Sequence, residues 1–194
     1  LHNAPANGIS VRDYVWVQTV VGLFEFGFFS DIDPVVSLPV ISGQTGLPAT
    51  REYFGAGALR GVDPITLSVG LNVYTLGVKL SNIHPKVNEM VRGHDVRNAR
   101  IEIHRGIIDP ATGQLADPPM LHFMGTVNKA DPQRGRVGGE GAIQITATSI
   151  TNELTRTNPA KFSDATLSRR SGDRFGRYID IMGDVRLYWG ANPK

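Results

Sequence analysis

The side chains best suited to acid–base or metal chemistry are five histidines: His2, His84, His94, His104 and His122. Three of them, His84, His94 and His104, stand ten residues apart. That interval matches no metal-ligand spacing on a helix or a strand. In Ile101-Glu102-Ile103-His104 the two-residue strand period puts Glu102 and His104 on one face, the types needed for a carboxylate–imidazole pair. A polar strand face accounts for the same pattern. Metal ligation needs three or four converging groups, and only two are placed, so no metal site is assigned.

Other catalytic patterns are absent or incomplete. A strained Gly-x-Ser-x-Gly turn, the usual seat of a serine nucleophile, does not occur, and Ser68 lies in the apolar run Leu67-Ser68-Val69-Gly70. Gly55-Ala56-Gly57-Ala58-Leu59-Arg60-Gly61 has its third glycine one residue late for a dinucleotide loop, so a flexible turn is expected there. Arg134-Gly135-Arg136-Val137-Gly138-Gly139 has the types to cradle a phosphate, and a hairpin tip explains it without a ligand. With 18 Asp and Glu, some carboxylate pair can always be nominated for glycoside hydrolysis, so no pair is singled out. Zero cysteines exclude disulfides, thiolate metal sites, iron–sulfur clusters and cysteine nucleophiles. No catalytic residue and no cofactor is assigned, and the chain is expected not to be an enzyme.

The elements that position these residues are read from hydrophobic period and turn chemistry. Val11–Phe29 is apolar on both parities and rich in β-branched and aromatic residues, which suits buried strands. A single strand of that length would span about 60 Å, so a break near Gly22 is expected. Further strands are expected at Ile65–Asn72, Thr75–Leu80, Arg100–Ile108, Met120–Asn128 and Ala142–Thr148. Five Asp-Pro steps, at 33–34, 63–64, 109–110, 117–118 and 131–132, punctuate the chain as turn starts. One short helix is expected at Pro85–Arg92, opened by Pro85 and closed before Gly93, with a further turn from Ser149 to Arg156. The fold class is therefore mainly β: a β-sandwich or barrel with one short helix and an extended C-terminal arm. A β-rich core over 1–158, holding one or two barrel units, and an arm with a terminal strand over 159–194 make up the expected organisation.

The 194 residues carry 20 Lys and Arg against the 18 acids, a net charge of +2 that is too small to imply nucleic-acid binding. No apolar run approaches the ~20 residues of a membrane span, and no leader pattern opens the chain, so no stable membrane insertion is expected. Charge is concentrated instead in Lys161–Asp184, where Arg169, Arg170, Arg174 and Arg177 alternate with Asp164, Asp173, Asp180 and Asp184. Guanidinium forks suit carboxylates across an interface, and the aspartates would repel a phosphate backbone. The segment Val185–Gly190 then returns to strand-like alternation with Tyr188 and Trp189. The expected inter-subunit contacts are Arg169, Arg170, Asp173, Arg174, Arg177 and Trp189.

Several stretches resemble tail-tip hub proteins of siphophages and gene transfer agents, including the lambda-type minor tail protein at the tail tip. They are Gly46–Gly57, Val91–Gly106, Glu153–Pro159, Ser163–Asp173 and Tyr188-Trp189-Gly190, and the likeness runs from about Ser10 to Gly190. The resemblance implies a β-rich structural subunit at the distal end of the virion tail, a trimer, that continues or closes the tail tube. Its implied partners are a distal tail or tube protein above, a fibre or central tip protein below, and DNA passing transiently at ejection. Related hubs carry two tube-like domains per chain. This chain is short for a complete hub and lacks the C-terminal cysteines with which some lambda-type relatives hold an iron–sulfur cluster. The alternative readings are a six-fold distal tail adaptor, a β-rich cell-wall hydrolase and a carbohydrate-binding module at the tip.

Overall fold

The computed structural model describes residues 10–65, 72–133, 141–155, 157 and 161–184. The interior of the expected 65–72 strand, the Arg134–Gly139 tip, the terminal Val185–Gly190 strand and Trp189 lie outside the described residues. The chain divides into two compact units, Leu1–Thr155 and Arg156–Lys194.

Nine strands of the first unit form one sheet. They are β1 (Ser10–Gln18), β2 (Glu25–Phe29), β3 (Val35–Ile41), β4 (Pro48–Phe54), β5 (Leu59–Val62), β6 (Thr75–Ser81), β7 (Arg100–Ile108), β8 (Met120–Gln133) and β9 (Ala142–Ser149). Their order across the sheet is β3-β4-β2-β1-β7-β8-β9-β6-β5, antiparallel except for one parallel bridge between β2 and β4, Phe28 to Phe54. The break expected near Gly22 is present, with Gly22 at φ 78° and Leu23 at φ 50° in the turn. The strands expected at 75–80, 100–108, 120–128 and 142–148 are also present, β8 running on to Gln133.

Connectivity requires the sheet to curl. Laid flat, β4 and β5 would stand about 34 Å apart at 4.8 Å per strand spacing. The chain passes directly from Phe54 to Leu59, and a link of that length reaches at most about 18 Å. The sheet therefore bends into an incomplete barrel. Its interior is one cluster that joins Val15, Val17, Phe26 and Phe28 at one end of the sheet to Leu76, Val78, Leu80 and Leu59 at the other. Helix α1 (Pro85–Gly93) links β6 to β7 and adds Val87 and Met90, both fully buried, to that core. Among the described residues no helix is long and apolar enough to cross a membrane.

Both parities of β1 and β2 are buried over 14–17 and 26–29 because each faces a different core. The register Val15 to Phe28 and Val17 to Phe26 directs these four inward. Tyr14, Trp16 and Phe29 point outward and form a second cluster with Val40 and Tyr53. The cover is the β3–β4 hairpin, which the sequence reading did not anticipate. Its strands show a half-buried pattern with two prolines, Pro39 and Pro48, and little continuous apolar run. Likewise Gly55–Gly61, expected as a loop, is a turn only as far as Ala58, and Leu59–Val62 is strand β5. A short helix, α2, follows β9 at Thr151–Thr155.

The second unit corrects the expectation of an extended arm: its described part, 161–184, is coiled into turns. Ser163 caps the four-residue helix α3 (Asp164–Leu167), its Oγ accepting from the Thr166 amide at 3.3 Å. Ser171 and Gly172 both take positive φ and reverse the chain, and a 3-10 turn spans Met182–Asp184. The buried Gly176 allows close approach, since a Cβ there would lie 2.8 Å from Leu167 Cδ1 and 3.0 Å from the Asp164 amide.

Candidate functional site

Among the described residues a cluster of chemically capable groups lies between the barrel wall and the β3–β4 hairpin. On β7, Ile101 and Ile103 enter the barrel core, which leaves Glu102 and His104 facing the hairpin. The two-residue period thus places the pair as expected. What the sequence did not announce is the partner, Arg51 of β4. Its Nη1 donates to Glu102 Oε2 at 2.7 Å, and its guanidinium carbon sits 4.8 Å from the centre of the Trp16 ring. Arg51 and Glu102 are 8% and 5% exposed, and His104 is fully buried.

The hairpin lies close against the wall at two glycines. A Cβ on Gly27 would come within 2.2 Å of the Glu52 carbonyl, so only glycine lets the β4 backbone approach β2. At the far end a Cβ on Gly43 would meet Leu121 Cδ2 at 2.8 Å, which brings the hairpin tip onto β8. From this tip the Gly43 amide donates to Glu102 Oε2 at 3.0 Å, and the Ser42 hydroxyl lies 3.5 Å from Oε1. His104 Nε2 is 3.0 Å from the Ile41 carbonyl, which can only accept, so Nε2 carries the proton. Tyr53 Oη and His104 Nδ1 are buried with no hydrogen-bond partner.

Burial opposes the charge on Glu102, but the Arg51 guanidinium and the Gly43 amide outweigh it and hold the carboxyl below its ordinary range. For His104, burial dominates over the Ile41 carbonyl and Glu102, so the ring titrates below its ordinary value and is neutral at pH 7. Burial likewise pushes the Tyr14 and Tyr53 phenols up to about 12. The carboxylate is occupied by its donors, and the imidazole lines none of the three cavities nearby. Those cavities measure about 220, 160 and 610 Å³ and meet around Gln44 and Arg100 at the hairpin tip. As arranged, the cluster fastens the hairpin rather than presenting an acid or base to a bound molecule. Among the described residues no three His, Asp or Glu side chains gather as metal ligands.

The residues expected at subunit contacts fall in the second unit. Arg174 Nη1 pairs with Asp164 Oδ2 at 3.0 Å, Asp173 Oδ1 accepts from the Phe175 amide at 2.9 Å, and Arg177 lies 5.5 Å from the Tyr178 ring centre. Arg169 and Arg170 are exposed, with no ion pair to another described residue. Around them stand large apolar side chains that the sequence reading passed over: Phe162, Phe175, Tyr178, Ile181 and Met182 are 51–80% exposed. The scarcity of aliphatic residues before Ile179 was the available signal, because a segment that short of apolar side chains cannot enclose its own aromatics.

No protein-family model matches the sequence, and no curated protein matches it. Among solved structures the chain is similar to one from the virion of a native gene transfer agent particle, at 15% identity and a TM-score of 0.49. The match covers 83% of this chain and 47% of that one, so this chain spans about half the length of its structural neighbour.

Proposed function

We propose that the chain is a structural subunit at the distal end of the tail of a long-tailed phage or phage-like particle. In this reading it is a tail-tip hub that assembles with copies of itself, as a trimer, into a ring continuing or closing the tail tube. A tail or tube protein contacts it above, a fibre or central tip protein contacts it below, and DNA passes it at ejection. Its work is mechanical, with no reaction turned over.

The observation that carries the reading is the second unit. Five large apolar side chains stand exposed within 161–184, and the one buried residue described there is Gly176. A segment with so little burial gains stability only from something that covers it. The charged residues interspersed there, Arg169, Arg170 and Arg177 with Asp173, suit the polar rim of such a contact. The resemblance of the 46–57, 91–106, 153–159 and 163–173 stretches to tail-tip hubs supplies the kind of assembly.

Deleting Lys161–Lys194 tests the role of that segment in the producing strain. Incomplete or tip-less tails are expected while the barrel still accumulates as folded protein. Complete, infectious tails assembled from the truncated chain would overturn the proposal.

A further inference from the structure

Backbone pairing holds the β3–β4 hairpin to the rest of the sheet at a single bridge, Phe28 to Phe54, at the end where the chain enters and leaves it. Beyond that hinge no strand pairing is recorded, and the hairpin rests on the wall by packing against β1, β2 and the Leu121 side chain of β8 and by polar contacts to β7. Two features make it conditional. The first is that, among the described residues, its buried polar contacts with the wall run through two residues of β7, Glu102 to Arg51, Gly43 and Ser42, and His104 to the Ile41 carbonyl. The second is that the same interface holds two buried polar atoms without partners, Tyr53 Oη and His104 Nδ1. A partly satisfied buried network is the place where a packed interface is most easily opened.

We propose that the hairpin is a hinged flap that lifts from the β1–β7 face on mild acidification, when His104 takes up a proton, while the barrel stays folded. A protonated ring carries an N–H on Nδ1, and no acceptor reaches that atom. The groups facing the ring are Glu102 of β7, 3.8 Å from Nε2, Arg51 of β4, Tyr14 of β1 and the Ile41 carbonyl of β3, with Tyr53 of β4 edge-on to Tyr14. Arg12, Asp31 and Asp33 act on Tyr14 from beyond. Glu102 is the one carboxylate beside the ring, and it is already shared between Arg51 and Gly43, while Arg51 opposes a second cation.

With the flap down, burial keeps the ring from protonating; with the flap up, it titrates near its ordinary 6.5. Docking is therefore strongest above that value and weakens as pH falls below it, by at most about tenfold per pH unit for one proton.

The absence of native cysteine allows a direct test. Val40→Cys places a thiol under the flap, at a site 2% exposed, and Val78→Cys places one in the barrel core, at a site fully buried. Each full-length variant is labelled with a disulfide reagent that reacts in acid, and its rate is normalised to that of the unfolded chain. The Val40→Cys rate is expected to climb by up to about tenfold per unit from about pH 6.5 to 5, with Val78→Cys unmoved. Adding His104→Gln, whose amide still donates to Ile41, is expected to flatten the climb. A flat Val40→Cys profile, equal acceleration of both thiols, or a climb that survives His104→Gln would each overturn the flap. Should the His104→Gln protein fail to fold, the comparison of the two thiols decides alone.

Discussion

Arg51 and Glu102 bear most of the charge buried in the first unit, and their pairing sets what either substitution costs. Arg51→Ala would leave a carboxylate enclosed with one amide and a distant hydroxyl, and is expected to lower unfolding free energy by about 3–5 kcal/mol in urea titrations. Arg51→Met combined with Glu102→Leu removes both charges and fills similar space, so most of that loss is expected to return. If the double variant were as unstable as the single one, the clamp would depend on packing around Trp16 rather than on charge. Half of this cluster was legible in the sequence. Alternation alone places Glu102 and His104 on one face of β7, because the period of a strand is a local property. Arg51 lies fifty-one positions from Glu102 on a strand that crosses the barrel wall, and no local pattern reports a contact of that kind.

At the scale of elements, local signals succeeded where an element buries one continuous face. Helix α1 carried its own start and stop, Pro85 and Gly93, and adds Val87 and Met90 to the barrel core. Met90→Ala is accordingly expected to cost about 2–5 kcal/mol, measured as a lower denaturation midpoint with an unchanged slope. A cost near zero would mean that α1 rests on the core without completing it. Strands β3 to β5 were missed for the opposite reason. In β3 only Val40 is buried among exposed and half-buried neighbours, and Pro39 and Pro48 read as turn residues. The burial of β3 and β4 is conferred by Tyr14, Trp16 and Phe29 on another part of the chain, and that of Leu59 in β5 by the barrel core. That second core also explains why 11–29 looked apolar on every side: the sequence showed two faces, and the hairpin is what requires the outer one.

At the scale of the whole molecule, the two units differ in self-sufficiency. The first encloses two cores, whereas the described part of the second exposes most of its large apolar side chains. Composition signalled the difference, since aliphatics are scarce before Ile179, but it suggested an extended conformation where Ser163, Ser171 and Gly172 coil the chain. The proposed role makes this chain a built-in part of a particle, joined to copies of itself at the tail tip. Electron imaging of particles from the producing strain, with an epitope tag on this chain decorated by antibody, tests it most directly. Label confined to the distal tip, with three-fold averaged density there, is the expected result. Label along the capsid, or purified particles free of the chain, would contradict it.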